Sequence, residues 1–326
     1  MREIYYLDAI KEALTQKMEI DEKTFLIGED VGVYGGAFGV TLGMIDKFGK
    51  DRIMDTPISE QGIVGIAIGA ALMGQKPIVE IMFSDFLMLA LEQVANQAAK
   101  IHYMFGGRAS VPLVIRTPGG GGTGAAAQHS QSIEAILNHI PGLKVIMPST
   151  PYDAKGLLLS AIADPDPVIF IEHKLLYKKV KGEVPQEIYT LPLGKADIKR
   201  KGKDLTVVAT SYMVQKVLQV ADSLLLEGID IEVIDPRTIK PLDLETIIES
   251  VKKTGRAVLV EEACYTGGFT SFLASEIQAR AFDWLDESIV RITGLDCPIP
   301  YSPVLENVVI PSEERIKKGI LEMFSK

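Results

Sequence analysis

The sequence predicts an α/β protein with two domains, each built on a parallel sheet. Short apolar runs rich in Val and Ile alternate with segments of helical period, which is the pattern of βα units. After Glu172 this alternation stops in a charged stretch that contains two prolines and has no period, and then it resumes. The 326 residues are enough for two hydrophobic cores. We predict a first domain over residues 1–175, a connector over 176–203 and a second domain over 204–326.

The first domain is predicted to contain six strands separated by helices. Ile4, Leu7, Ile10, Leu14 and Met18 recur at helical spacing and form one apolar face of the first helix. A second helix is predicted over 86–103, and a third begins at 149–151, where Ser and Thr precede a proline. The predicted strands are 24–27, 52–54, 77–83, 111–116, 143–147 and 168–172.

The second domain repeats the alternation with four strands and four helices. The predicted strands are 205–210, 231–235, 257–261 and 289–293. The predicted helices are 212–227, 242–254, 268–282 and 312–324.

Composition limits the classes of partner and the compartment. A net charge of -9 does not favour a nucleic-acid partner. The two cysteines, Cys264 and Cys297, form no CxxC pair, which argues against a disulfide framework or a structural zinc site and fits a reducing compartment. The longest apolar stretch, 62–74, is too short to span a bilayer, and the amphipathic start does not resemble a signal peptide. We expect no membrane partner and a cytoplasmic location, or an organelle matrix in a eukaryote.

Glu60 is the first candidate for chemistry. It lies in DTPISEQG, residues 55–62, between a predicted strand and the small-residue helix GIVGIAIGAALMG. Ligands of open α/β sheets collect at the carboxyl ends of strands, where this segment is placed. One interpretation is an acidic residue favoured by the helix dipole. The other is a functional carboxyl: a helix apolar on all faces is predicted to be buried, so a carboxyl beside it needs a partner such as a cofactor nitrogen.

His129 is the second candidate, in the loop PGGGGTGAAAQHSQS at 118–132. Its glycines match neither the Walker nor the dinucleotide pattern, and GEDVGVYGGAFG at 28–39 lacks the acidic residue expected about 20 positions further on. We interpret the loop at 118–132 as flexible or tightly packed. A histidine in such a loop can stabilise the structure, be simply exposed to solvent, or act in catalysis, and the sequence pattern leaves all three open.

Two further groups fall at predicted strand ends. Phe83 and Phe86, in EIMFSDF, belong to a core or offer a flat face to a cofactor ring. Asp164 and Asp166, in SAIADPDPVIF, are typical of a turn before a strand, although oxygen-rich turns also hold hard cations.

Seven segments in a fixed order resemble one known family. They are TPISEQG, EIMFSDF, RTPGGGGTG, AAAQHSQ, GLKVIMPSTPYDAKGLL, VEEACYTGG and ITGLDCPIPYSPVLE. In this order they resemble the β subunit of the transketolase-like E1 component of pyruvate, acetoin and branched-chain 2-oxo acid dehydrogenases. The resemblance covers nearly the whole chain, and ISEQG and AQHSQ are its most specific parts. It implies a pyrimidine-binding domain followed by a transketolase C-terminal domain.

The resemblance implies thiamine diphosphate at the α–β interface of an α2β2 heterotetramer. Glu60 matches the family glutamate that faces N1′ of the aminopyrimidine, Phe86 the aromatic residue that stacks on that ring, and Ile58 an apolar neighbour. His129 matches the histidine near the channel where the lipoyl group of the E2 acyltransferase arrives. The second domain is expected to dock that E2 partner.

The same resemblance implies two metal ions. A potassium ion is expected in the turn that matches Leu113, Ala161, Ile162, Asp164 and Asp166, where Ala163 replaces an arginine common in relatives. No GDG motif, which holds Mg²⁺ and the diphosphate in this class, occurs in the sequence. We therefore expect Mg²⁺ to be held mainly by the α subunit, and this chain to be half of an enzyme.

The expected activity is that of an oxidoreductase active only with its α subunit. It would decarboxylate pyruvate oxidatively, or cleave acetoin, and transfer the acyl group to lipoyl E2. AQHSQ is common in those relatives, whereas branched-chain relatives often carry extra histidines there, so the branched-chain substrate is the alternative. Two others are a split transketolase half, which would need a sugar-phosphate pocket, and a non-catalytic scaffold, which Glu60, Phe86 and His129 together disfavour.

Overall fold

The computed structural model describes residues 1–324, which form two compact units. The first unit comprises 1–119 and 136–193, and the second comprises 120–135 and the residues from Gly194 onward. Segment 120–135, which carries His129, therefore belongs to the second unit although its neighbours in sequence belong to the first. The predicted boundaries at 175 and 204 stay predictions.

The first unit is built on a parallel sheet of six strands in the order β6–β7–β5–β4–β2–β3. A separate antiparallel pair joins β1 to β8. The elements up to β8 are β1 (Arg2–Tyr5), α1 (Tyr6–Ile20), β2 (Thr24–Gly28), α2 (Met44–Phe48), β3 (Ile53–Asp55), α3 (Glu60–Leu72), β4 (Lys76–Glu80), α4 (Ala99–Met104), β5 (Val114–Gly119), α5 (Glu134–Asn138), β6 (Lys144–Ile146), α6 (Pro151–Ala163), β7 (Val168–His173), α7 (Leu176–Lys179) and β8 (Lys181–Val184).

The second unit contains a five-stranded sheet in the order β14–β13–β10–β11–β9, in which only β9 is antiparallel to its neighbour. Its elements are β9 (Asp197–Arg200), β10 (Leu205–Ala209), α8 (Tyr212–Leu225), β11 (Ile231–Asp235), β12 (Thr238–Lys240), α9 (Leu244–Thr254), β13 (Ala257–Cys264), α10 (Phe269–Ala281), β14 (Val290–Gly294), α11 (Pro303–Val309) and α12 (Glu313–Phe324). The predicted α/β class with two largely parallel sheets is confirmed.

The local rules that predicted the elements hold in detail at α6. Thr150 caps this helix by accepting a hydrogen bond from the Asp153 N–H at 3.1 Å, and Pro151 occupies the first turn. Helix α1 buries the apolar side chains of Ile10, Leu14 and Met18 completely. No helix among residues 1–324 has both the length and the apolar content that crossing a membrane requires.

The segment predicted as one helix over 86–103 is helical, but it is not one regular α-helix. Residues 84–90 form a 3₁₀-helix and 93–98 a π-helix, and a regular α-helix follows at Ala99–Met104. The tight 3₁₀ turn and the wide π turn deviate from 3.6 residues per turn in opposite senses. The apolar period therefore averages to that of an α-helix and conceals both.

The predicted connector contains two short edge strands that its sequence did not reveal. Strand β8 pairs with β1, and β9 extends the second sheet. Both are four residues long and mostly charged or exposed, so they lack the apolar alternation from which a strand is predicted.

Candidate functional site

The candidate residues of the first unit follow three neighbouring strands and lie at one edge of the sheet. Glu29 follows β2, Ile58 and Glu60 follow β3, and Phe83 and Phe86 follow β4. Because β3, β2 and β4 are parallel and adjacent, their carboxyl ends meet at the same edge. This is where open α/β sheets bind ligands.

Glu60 is the first residue of α3 and is 9 % exposed. A carboxylate in this position is stabilised by the positive end of the helix dipole, and its oxygens lie at the edge of the sheet as hydrogen-bond acceptors. Glu29, which the sequence analysis missed, lies close enough to interact with it. Burial, followed by the charges of Asp30 and Glu60, raises the pKa of the Glu29 carboxyl.

The chain by itself does not bury α3 on all faces, although its apolar sequence predicted this burial. Ile63, Val64 and Ala67 are buried, but Ile66 is 60 % exposed and Met73, which follows the helix, is 82 % exposed. Small residues occupy part of the open face, and Gly69 has no atom within 4 Å of an added Cβ. Apolar composition alone does not tell a core helix from one that leaves a face free for another surface.

Aromatic rings form a continuous series toward Phe86. The rings of Phe86 and Phe83 meet edge to face at a centroid distance of 5.5 Å, and Phe83 meets Phe38 at 5.7 Å. Phe38 lies 5.3 Å from the ring of buried Tyr177. Phe86 is thus the half-buried end of a series anchored in the core, and the 3₁₀-helix that contains it packs against α3.

Below these rings lies a fully buried ionic network. Arg116 donates two hydrogen bonds to Glu172, at 2.7 and 2.8 Å, and one to Glu80 at 2.7 Å. Tyr177 donates to Glu172 at 2.6 Å. Burial raises the pKa of Glu80 despite the opposing charge of Arg116, as expected where two carboxylates share one guanidinium.

Carboxylates of the chain itself occupy the space beside the glycines of segment 28–39. The Gly32 N–H donates to Asp55 Oδ1 at 2.6 Å, and a Cβ at Gly36 would collide with Glu80 Oε1. Gly36 also has a φ of +78°, which side chains other than glycine rarely adopt. These glycines thus let the β2 loop close over the strand ends, which agrees with the weak match to a dinucleotide fingerprint.

In the second unit, the segment that carries His129 forms one wall of a cavity of about 570 Å³. Ala127, Ser130, Gln131 and Ser132 line it opposite the ends of β13 and β14. The free cysteines Cys264 and Cys297 also line the cavity. His129 itself is half-buried, and its backbone N–H donates to the Ala126 carbonyl at 3.3 Å.

Three glutamates are buried beneath this segment. Glu134, at the start of α5, is 2 % exposed, and burial together with the charges of Glu261 and Glu262 raises its pKa to about 8. Glu261 accepts hydrogen bonds from the N–H and the hydroxyl of Thr270.

The turn predicted to hold potassium gives its carboxylates partners from the protein. The Lys144 ammonium lies 2.5 Å from Asp164 Oδ1 and 3.4 Å from Asp166 Oδ2, and His102 Nδ1 lies 2.8 Å from Asp166 Oδ1. The carbonyls of Leu113 and Ala161 each accept one backbone N–H. Each carbonyl keeps a second lone pair, which is the kind of ligand that a potassium ion takes, whereas both carboxylates already have partners within the chain.

Within residues 1–324, no group of three or more His, Cys, Asp or Glu side chains has an arrangement suited to a metal ion. Potassium at the carbonyls of Leu113, Ala161 and Ile162 stays a prediction.

Comparison with known proteins identifies both parts of the chain. The transketolase pyrimidine-binding domain family matches residues 2–179, and the transketolase C-terminal domain family matches residues 194–316. A solved split-gene transketolase, described as an inactive β4 tetramer, superposes with a TM-score of 0.79 over 99 % of this chain and 98 % of its own. At 22 % identity, that likeness concerns the fold alone.

Curated relatives align over almost their whole lengths. The 2-oxoisovalerate dehydrogenase β subunit of Bacillus subtilis is 46 % identical over 98 % of both chains. The acetoin:2,6-dichlorophenolindophenol oxidoreductase β subunit of the same organism is 47 % identical over 99 % of this chain and 97 % of its own. The pyruvate dehydrogenase E1 component β subunit of Rickettsia conorii is 46 % identical over 96 % of both. The chain therefore belongs to the transketolase-like family of E1 β subunits of pyruvate, acetoin and 2-oxoisovalerate dehydrogenases.

Proposed function

We propose that this chain supplies the pyrimidine half of a thiamine diphosphate site in an E1 that acts on pyruvate or acetoin. The observation that carries the proposal is that Glu60 and Ile58 follow β3 and Phe86 follows β4, the two strands that flank β2, so that all three lie at the same edge of the sheet, where the 3₁₀-helix of Phe86 packs against α3. A buried carboxyl, an apolar side chain and a half-buried aromatic ring suit a flat heterocycle with a ring nitrogen. Thiamine diphosphate would supply the electron sink for decarboxylation.

Each residue has a distinct role in this proposal. Glu60 would hold a proton at the pyrimidine nitrogen N1′, and Phe86 would pack against the pyrimidine ring. Glu29, electrostatically coupled to Glu60, would influence the charge of that carboxyl. The aromatic series behind Phe86 and the buried Arg116 network would keep these groups in place.

An α subunit would complete the site in an α2β2 heterotetramer. The sequence has no GDG motif, so Mg²⁺ and the diphosphate would be held mainly by that subunit. The exposed face of α3, with Ile66 and the adjoining Met73, is the apolar surface that such a partner would cover next to Glu60. A lipoyl-bearing E2 would accept the acyl group near His129, and a cytoplasmic or organelle-matrix location fits this chemistry.

The substrate is tested by reconstitution with an α subunit that carries the GDG motif. The tetramer is assayed with pyruvate, acetoin and 3-methyl-2-oxobutanoate, using 2,6-dichlorophenolindophenol as acceptor. We expect kcat/KM for pyruvate or acetoin to exceed that for the branched acid by about tenfold or more, the range set by a few methyl groups in a pocket. A preference for the branched acid would instead favour the function named by the 2-oxoisovalerate relative.

Replacing His129 by alanine should slow acyl transfer to a lipoyl domain by about 10²-fold, the lower range for a lost acid–base group. The artificial-acceptor rate should fall much less, because that assay does not use the lipoyl acceptor. His139→Ala, at an exposed histidine ten residues later, is the matched control. Equal losses in the two assays would move His129 to an earlier step.

A further inference from the structure

In the loop before His129, the backbone φ angle alternates between positive and negative values from one residue to the next. Gly120, Gly122, Gly124 and Ala126 have φ values of +80°, +84°, +67° and +64°, and the residues between them do not have positive φ. Such alternation turns successive N–H groups toward one side and makes a concave site for an anion. Ala126 is the only member of the set for which a positive φ is strained by a side chain.

The anions that this loop binds are two side chains of its own unit. The N–H groups of Gly122 and Gly124 donate to Glu306 Oε1 and Oε2, at 2.7 and 3.0 Å. The Gly121 N–H donates to Glu262 Oε1. Glu306 lies in α11 and is 2 % exposed, so both of its oxygens serve the loop rather than water.

The space around the loop is tight at Gly121. A Cβ at Gly121 would collide with Ile310 Cδ1 and lie 3.2 Å from Glu306 Oε1. Beyond Gly124 the chain turns at Ala126, whose carbonyl accepts the His129 N–H. His129 is therefore five residues from the last amide held by Glu306, and a single backbone turn separates the two.

We propose that Glu306 is a positioning residue for acyl transfer, because it holds the glycine loop in the one shape that presents His129 to the arriving lipoyl group. The inference rests on the proposed role of His129. Hydrogen bonds from amides to a carboxylate are among the stronger ones in proteins, and two of them end on this one group. Loss of Glu306 removes the carboxylate that accepts from two glycine amides in a loop of high backbone entropy.

The test uses the reconstituted heterotetramer with Glu306→Gln and Glu306→Ala. Glutamine keeps one acceptor oxygen but turns an NH₂ donor toward the other glycine N–H, whereas alanine removes both acceptors. Glu314→Gln, at an exposed glutamate of α12, is the matched control. Hydrogen exchange is followed in the peptide that covers 119–131, and acyl transfer to a lipoyl domain is compared with the artificial-acceptor rate.

We expect exchange of the 119–131 amides to rise by about tenfold for glutamine and more for alanine, since tenfold is the factor for roughly one hydrogen bond. The lipoyl-coupled rate should fall in the same order, with a larger loss than in the artificial-acceptor assay. If Glu306→Gln keeps part of the parent's exchange protection and part of its lipoyl-coupled rate, the loss comes from positioning and not from a failure to fold. The Glu314 control should match the parent in both.

Two results would overturn the proposal on different grounds. Unchanged exchange in Glu306→Ala would mean that the carboxylate does not hold the loop. Faster exchange with an unchanged lipoyl-coupled rate, while His129→Ala lowers that rate, would show that loop shape does not govern His129. If His129→Ala itself has no effect, the proposed role of His129 is wrong, and the positioning role of Glu306 falls with it.

Discussion

Glu60→Gln, assembled with an α subunit, is expected to slow exchange of the C2 proton of bound thiamine diphosphate by at least about 10²-fold. Glutamine keeps the size and polarity of the side chain but cannot pass a proton to N1′, and general acid–base groups contribute about 10² to 10⁴ in rate. Cofactor affinity should fall much less, because the diphosphate is expected to bind the α subunit. The measurement is C2–H/D exchange in the reconstituted tetramer.

The matched control for this prediction is a helix-start glutamate outside the site. Glu245 occupies the first turn of α9 and is exposed, so Glu245→Gln removes a carboxylate favoured by a helix dipole and nothing else. Its exchange rate should equal that of the parent. If Glu60→Gln also exchanges as fast as the parent, Glu60 serves only the helix dipole and the proposed pyrimidine site is wrong.

The position of Glu60 at an edge of the sheet could be predicted because the sequence patterns that indicate it lie close together in the chain. A strand, a short polar segment and a helix follow one another within 53–72, and the parallel order brings neighbouring loops to one edge. Glu29 was not predictable in the same way. It becomes a neighbour of Glu60 through the pairing of β2 with β3, which the sequence does not specify.

The two glycine-rich loops show a second limit of sequence reasoning. Their patterns excluded known phosphate and dinucleotide motifs, but the groups that fill them lie far along the chain. Asp55 is 23 residues from Gly32, and Glu306 is 184 residues from Gly122. No spacing rule relates a glycine to a carboxylate at such distances, so only the folded chain reveals that both loops bind the protein's own acidic side chains.

Arg116 is a position where a single substitution should strongly destabilise the first unit. Arg116, Glu80 and Glu172 are 1 %, 4 % and 0 % exposed, and three hydrogen bonds join them. Burial lowers the pKa of a guanidinium, but here the charges of Glu172 and Glu80 outweigh burial and raise it. The network therefore depends on a permanent positive charge between two acidic groups.

Arg116→Met should lower the free energy of unfolding by about 3–5 kcal/mol, the usual cost of leaving a buried partner charge uncompensated. Arg280→Met is the control, because its ion pair with Glu276 is 3.0 Å long but more than half-exposed on the arginine side, and such pairs contribute under about 1 kcal/mol. Unfolding is followed by urea titration of both variants and the parent.

The pH dependence of the Arg116 variant distinguishes this cause from a simple loss of packing. Without the guanidinium, burial raises the pKa of Glu80 further above its value in the unfolded chain. A carboxyl with a raised pKa stabilises the fold fully below its unfolded pKa, and this contribution is lost as pH rises through the folded pKa. The deficit of Arg116→Met should thus shrink as pH falls from 8 toward about 5. Adding Glu80→Gln should recover part of the loss at pH 8, since it removes one of the two carboxylates that lose the guanidinium. A cavity left by the missing guanidinium would instead give a deficit that depends neither on pH nor on Glu80.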